Sequence, residues 1–208
     1  MKLQGRLCVV ALGVLAWSPS VMAQPAADKP GVKVGDKWTF NESVKTSASG
    51  ESNNTWSRRI VEILPDDRMQ VAGGKDQLIM VDGSWNAIDP KGAEYSLIAF
   101  KFPMSVGAAW SYTAKSGQTG QLERRANYKV VTFEPVTVPA GTFDCFHVEG
   151  EWQTNGLYYH SRGTDIYWYC PKINFIAKRQ SEFEAQPRGQ PASREWRLSE
   201  LTNFTPGK

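Results

Sequence analysis

The 208-residue sequence has little of what catalytic and metal centres are usually built from: two histidines and three cysteines. It contains no Gly-x-Ser-x-Gly elbow, no Cys-x-x-Cys pair, and no phosphate, dinucleotide or calcium loop. Serine hydrolases of the elbow type, dithiol oxidoreductases and nucleotide-binding enzymes therefore lose their sequence support. Beyond the N-terminus no segment keeps a 3.6-residue apolar period, which removes helical bundles, and none is long and apolar enough to span a bilayer. Charge of one sign is missing too. Lys and Arg number 24 against 21 Asp and Glu, for a formal +3, so nucleic acid is not expected as a partner.

The first 23 residues read as an export signal. Lys2 and Arg6 precede an apolar stretch from Leu7 to Trp17, Ser18-Pro19-Ser20 breaks it, and Val21-Met22-Ala23 offers small residues for cleavage. Cleavage there leaves 185 residues, Gln24 to Lys208, carrying about +1, enough for one substantial core. Cys8 departs with the signal and no cysteine sits just after the cleavage point, so the expectation is a periplasmic or secreted protein without a lipid on a first cysteine. Cys145 and Cys170 are then the only pair in an oxidising compartment. They are expected to form a structural disulfide closing 26 residues, a loop whose closure stabilises by roughly 3 kcal/mol on chain entropy.

Residues 24–33, rich in Ala and Pro, read as a flexible leader to a single β-rich domain over 34–208. Strands are expected near 34–40, 56–64, 68–72, 77–81, 85–88, 95–102, 106–112, 122–133, 135–138, 143–152, 157–161, 165–170, 174–183 and 194–201. Turns are expected at Thr46–Asn54, Pro65–Asp67, Gly73–Asp76, Asp82–Gly83, Pro139–Gly141, Thr154–Gly156, Gly163, Pro171–Lys172 and 185–193. So many short strands and turns predict an all-β antiparallel fold, either a curved sheet or open barrel, with a two-sheet sandwich as the alternative.

Val34-Gly35-Asp36-Lys37-Trp38-Thr39-Phe40 and Val106-Gly107-Ala108-Ala109-Trp110-Ser111-Tyr112 share the pattern Val-Gly-x-x-Trp-x-aromatic, 72 residues apart. Each precedes a polar turn and a long strand opening on paired basic residues, Arg58-Arg59 and Arg124-Arg125. The repeat suggests related halves, 34–105 and 106–208. Trp38, Phe40, Trp110, Tyr112, Phe143 and Trp196 are the expected core.

His147 and His160 flank the Asn155-Gly156 turn, with Asp144, Glu149 and Asp165 nearby. Their spacing fits no compact zinc signature, and ordinary hydrogen bonding is the expected fate of both. Ser161 alternates away from His160. Cys145 and His147 share a face but lie nearly 7 Å apart along a strand. Asp66-Asp67 reads as a solvated turn. Asn53 meets the acceptor pattern for N-glycosylation. No catalytic residue, metal ligand or cofactor is assigned. Tyr158, Tyr159, Tyr167, Trp168 and Tyr169 lie within a dozen residues. Alternation divides them between two faces, so some pack in the core while others are the ligand-binding candidates of a concave face or rim.

Val138-Pro139-Ala140-Gly141-Thr142-Phe143, Tyr167-Trp168-Tyr169 with Cys170-Pro171, and Ile176-Ala177-Lys178-Arg179 together resemble a family of bacterial exported domains of unassigned function. Cys170 and Cys145 depart from that family's pattern, as does Ile173-Asn174-Phe175. The resemblance implies a curved-sheet envelope protein and, by analogy of fold, lipid or lipoprotein handling. It implies no catalytic residues. The expected function is non-enzymatic binding of a hydrophobic small molecule, a lipid or an envelope protein; a structural or interaction module is the alternative, and a hydrolase the third.

Overall fold

A computed structural model describes residues 25–74, 77–88, 95–116 and 122–208. The expected signal at 1–23 lies outside the described residues. The strands are β1 (Ala26–Ala27), β2 (Lys37–Thr46), β3 (Gly50–Ile63), β4 (Met69–Ala72), β5 (Leu78–Val81), β6 (Ala87–Ile88) and β7 (Tyr95–Leu97), followed by β8 (Met104–Ser105), β9 (Ala109–Ser116), β10 (Leu122–Val138), β11 (Gly141–Gly156) and β12 (Tyr159–Cys170). A 3-10 turn, Pro171–Ile173, then leads to β13 (Phe175–Pro187) and β14 (Ser193–Thr205). β1 pairs with β8. The other twelve form one antiparallel ladder in the order β7-β6-β5-β4-β3-β2-β14-β13-β12-β11-β10-β9. The all-β, antiparallel, curved and unclosed sheet expected from the alternation is the fold.

The ladder curls because each long strand has one apolar face. Trp38, Phe40 and Val44 of β2, Ala126, Tyr128 and Val130 of β10, and Tyr167 and Tyr169 of β12 repeat at every second residue and are buried. The two edges approach each other where Trp110 Nε1 of β9 donates to Ile98 O, one residue past β7, at 3.4 Å.

One end of the curl is plugged. Phe100 packs on Tyr167 and Tyr169, with ring centroids 5.2 and 5.9 Å apart, and Phe102 on Tyr169 at 5.1 Å. Asn86 holds the plug from both sides: Nδ2 donates to Phe100 O and Oδ1 accepts from Phe100 N. Trp85 and Trp38 donate to Asn174 O and Ile173 O at the 3-10 turn, and Trp38 also packs against Trp85, Phe175 and Phe204. Burial of these rings, with the indole N–H groups of Trp38 and Trp85 bonded, stabilises this end of the curl.

The repeated segments make the same lead-in. Gly35 and Gly107 adopt φ of 93° and 87°, a conformation that favours glycine. Gly35 N donates to Ile60 O and Gly107 N to Val130 O, each at 2.9 Å; Ile60 N and Val130 N return bonds to Asp36 O and Ala108 O. This equates Ile60 with Val130, and hence Arg58 with Tyr128. The sequence pairing of Arg58-Arg59 with Arg124-Arg125 is thus four residues out of register, because it matched charge where the chain matches backbone.

Other expectations are also corrected. Residues 26–27 of the leader pair with 104–105, Ala27 is buried, and Asn174 bonds Gly31 through both ends of its amide; the leader is pinned from residue 26. Residues 50–54, read as loop from their Ser and Asn content, are the outer half of a hairpin with β2. Gly163 makes no turn: β12 runs straight through it, paired with Trp152 and Phe183. Pro135 lies within β10, where the β9 ladder has already ended at Lys129 and the strand is an edge. Trp196 is partly exposed and lies outside the packed cluster, with Lys45 Nζ 5.6 Å from its ring. Trp38 and Phe40 are fully buried, Trp110 and Tyr112 nearly so, and Phe143 packs against the cluster from its margin.

Candidate functional site

At the unplugged end the inner face forms an open cleft of about 380 Å³, lined by Arg124, Trp152, Thr154, Tyr159, Ser161, Asp165, Arg179, Ser181, Phe183 and Arg197. That volume is within the ~300–1,000 Å³ typical of ligand clefts. All ten side chains point inward by strand parity. The registers set them side by side: Gly150 opposite Asp165, Asp165 opposite Ser181, and Ser181 opposite Arg197.

Small inner residues make the room. A Cβ on Gly150 would lie 2.0 Å from Tyr128 Cε1, and one on Gly163 would lie 2.9 Å from Trp152 Cζ2. The Tyr128 ring therefore takes the space over Gly150, and Gly163 is enclosed by Glu182 O, Phe183 Cβ and the Trp152 ring. The Arg124 guanidinium in turn sits 3.9 Å from the Trp152 ring centroid, a stacked cation–π contact.

Asp165 anchors the charges and is almost fully buried. Arg179 Nη2 donates to its Oδ1 at 2.8 Å, and Arg124 Nη2 lies 3.8 Å from its Oδ2. Arg197 pairs with Glu195 and lies 4.0 Å from Glu42 Oε1. Arg58 stacks 5.0 Å from the Trp56 ring and has no ion pair among the described residues. Its burial, and then the nearby Arg179, push its pKa below the usual guanidinium range, opposed by Glu42. Arg179 is held above that range by Tyr167 and, against the penalty of its own burial, by Asp165. Burial likewise raises the phenol of Tyr128, with Tyr167 and Asp165 adding to it, and raises those of Tyr167 and Tyr169. Several donors find no acceptor among the described residues: Arg124 Nε, Arg179 Nε, Trp152 Nε1 and the Tyr128 hydroxyl are buried and unbonded there.

The five aromatic ligand candidates divide three ways. Tyr167 and Tyr169 are sealed beneath the plug. Trp168 faces outward, donating to Glu134 Oε1 at 3.0 Å and stacking on His147. Tyr158 is 63% exposed at the hairpin tip. Only Tyr159 lines the cleft. The residues that shape it, Arg124, Trp152, Asp165, Arg179 and Arg197, were not singled out as ligand residues from sequence. Their signal was a charged residue on the inner parity of a strand, as with Asp165 two places from Tyr167.

His147 and His160 do not meet. His147 lies opposite Trp168 and His160 opposite Asn155, eight positions along β12, or about 26 Å. His147 sits between Glu134 and Glu149, while His160 contacts Asn155 Oδ1 at 3.2 Å. Among the described residues no group of three His, Cys, Asp or Glu is placed to hold a metal ion. Cys145 and Cys170 form a buried disulfide.

The chain thus presents a curled antiparallel sheet with one packed end and one open, polar and aromatic end. Residues 109–185, spanning β9 to most of β13 and so most of the cleft, match the DUF3108-like family. No curated protein matches the chain. Three solved structures are similar in topology. An exported protein with a YmcC-like fold from Bacteroides fragilis is 17% identical, covering 87% of this chain and 100% of that one, with a TM-score of 0.47. A lipoprotein from Parabacteroides distasonis is 12% identical over 88% and 100%, TM-score 0.44. The hypothetical lipoprotein YmcC from Escherichia coli is 6% identical over 82% and 86%, TM-score 0.43. Likenesses this distant decide nothing about what this chain holds.

Proposed function

We propose that this chain is a non-enzymatic binding protein, exported to the periplasm or secreted, whose open cleft holds a ligand with an apolar portion. The observation that carries the reading is the difference between the two ends of one sheet. The same inward-facing strands that pack a dense aromatic core beneath the plug carry Ser161 and Ser181 at the open end. Small residues there leave a space with three aromatic walls, Trp152, Tyr159 and Phe183. An enzyme reading has less support, since neither histidine nor the disulfide-bonded cysteines reach the cleft.

The test is titration of the purified mature chain with amphiphiles below their micelle concentrations, followed by tryptophan fluorescence and calorimetry. Saturable binding that is lost on substituting Ser181 with Trp, with the melting transition retained, is the expected result. Saturable binding untouched by that substitution would place the ligand elsewhere.

A further inference from the structure

We infer that the cleft carries an acid-group subsite: it takes an amphiphile whose carboxylate or phosphate head lies against Arg124 and Arg179, with its apolar part against Trp152, Tyr159 and Phe183. This deepens the proposed function and rests on it.

Charge is the first argument. The cleft lining holds three guanidinium groups, Arg124, Arg179 and Arg197, and one carboxylate, Asp165. Arg197 is matched from behind by Glu195 and Glu42. Asp165 divides its two oxygens between Arg179 and Arg124, so this triad retains one positive charge with no counterion. Arg58 lies close enough to Arg179 to feel its charge, and Glu42, which also faces Arg197, acts on it in the opposite sense. Half-buried like charges side by side are unfavourable unless an anion joins them.

The hydrogen-bond inventory is the second. Arg124 Nε, Arg179 Nε, Trp152 Nε1 and the hydroxyl of Tyr128, a residue only 2% exposed, are buried without acceptors among the described residues. Tyr128 lies within electrostatic reach of both Asp165 and Arg124. Three of these four groups are donors only. A ligand completing the site must therefore bring oxygen acceptors and, given the charge, a negative one. Carboxylate and phosphate share that chemistry, and arginine forks suit both. A cationic head is excluded on the same count. The third argument is preorganisation: Arg124 is stacked on Trp152 and Arg179 is fixed by Asp165 before any ligand arrives, so little side-chain freedom is lost on binding.

The experiment titrates the mature protein by calorimetry with decanoate, dodecyl phosphate, octyl glucoside and dodecyltrimethylammonium, and with acetate and inorganic phosphate as head groups alone. The two acidic amphiphiles are expected to bind roughly tenfold to a hundredfold more tightly than the neutral and cationic ones, with affinity falling as salt is raised. Their order reports which head group the subsite prefers. In the triple variant Arg124→Gln, Asp165→Asn, Arg179→Gln, which removes the net charge of the triad and leaves none of its members ionised without its partner, the acidic preference should vanish while octyl glucoside binding persists. Arg58→Gln is the second variant should the triple fail to fold; it should reduce the preference by roughly tenfold or less. Equal affinity for acidic and neutral amphiphiles, or affinity indifferent to salt, overturns the acid subsite and leaves the binding cleft standing. Failure of every amphiphile to bind overturns the cleft and the subsite together.

Discussion

Replacing Gly150 by Ala tests the arrangement on which the cleft depends. The substitution adds one methyl group on the inner face of β11, at 2.0 Å from Tyr128 Cε1 and 2.4 Å from Cδ1. The Tyr128 ring cannot simply slide aside. It is stacked between Trp110 and Tyr112, at 5.7 and 6.3 Å between centroids, and meets Tyr167 at 6.4 Å. Either the ring leaves its rotamer or β11 moves from β10, and overpacking of this kind costs about 1–3 kcal/mol. Gly150 has no left-handed φ, so alanine adds no backbone strain, and stiffening of the unfolded chain returns about 0.4–1 kcal/mol. The net expectation is a loss of about 1–2 kcal/mol, read as the shift of a urea unfolding midpoint at unchanged slope. Tyr128→Ala alone should cost about 3–5 kcal/mol from the cavity it leaves. In the Gly150→Ala background it should cost at least about 1 kcal/mol less, because the clash goes with the ring. A neutral or stabilising Gly150→Ala, or strictly additive effects, would refute the packing of Tyr128 over Gly150.

Four other measurements probe the same framework. Reducing the disulfide, or replacing Cys145 and Cys170 together with Ala, should lower stability by about 3 kcal/mol; a change under about 1 kcal/mol would show that the surrounding ladder already does the work of the bridge. Trp38→Ala should cost about 3–5 kcal/mol, because the ring is fully buried and its N–H bonded to Ile173 O. Trp196→Ala should cost less than about 1 kcal/mol, because that ring is partly exposed outside the core. Stability should also fall in strong alkali. Tyr128, Tyr167 and Tyr169 keep their protons in the folded state above the ordinary tyrosine range. Below a pH of about 10 both states are protonated and stability is intact; above it only the unfolded chain ionises, so each such tyrosine removes about 1.4 kcal/mol per pH unit. Phenolate absorbance from these three should appear only as the β-sheet circular dichroism signal is lost; reversible ionisation near pH 10 with the fold intact would contradict their burial.

Much of the sheet was legible in sequence because period-2 alternation, Gly turns and proline breaks act locally. The hairpins at Asp82-Gly83 and Pro139–Gly141 and the break at Pro171 stand close to where residue type places them. The misplaced features have non-local causes. Gly163 looks like a turn on its own; it stays extended because strands on both sides pair with it, at Trp152 and at Phe183. Residues 50–54 look like loop because Ser and Asn dominate, yet pairing with 42–46 holds them in a strand whose side chains are all exposed. Residues 26–27 look loose until Met104 and Ser105, nearly eighty residues on, supply a partner. For the site, aromatic density pointed toward Tyr167–Tyr169, where it marks the packed end. Nothing local distinguishes a tyrosine under the plug from one at the mouth.

What divides the sheet into two ends is where the chain returns to its own concave face. The segment from Ile98 to Val106 enters the curl on one side only, anchored by Asn86 and by the β1–β8 pair. Wherever it reaches, the inner parity positions are Trp, Phe, Tyr and Val. Beyond its reach Arg, Asp and Ser join the aromatic Trp152, Tyr159 and Phe183, from Arg124 across Asp165 and Ser181 to Arg197. A sheet selected only for stability would gain by filling those positions with aliphatic side chains, since charged groups on an inner face carry a desolvation cost that apolar packing avoids. The charged half of the sheet is therefore not explained by folding. Among the described residues nothing else fills that end, and the ligand proposed above is what the charged positions would serve.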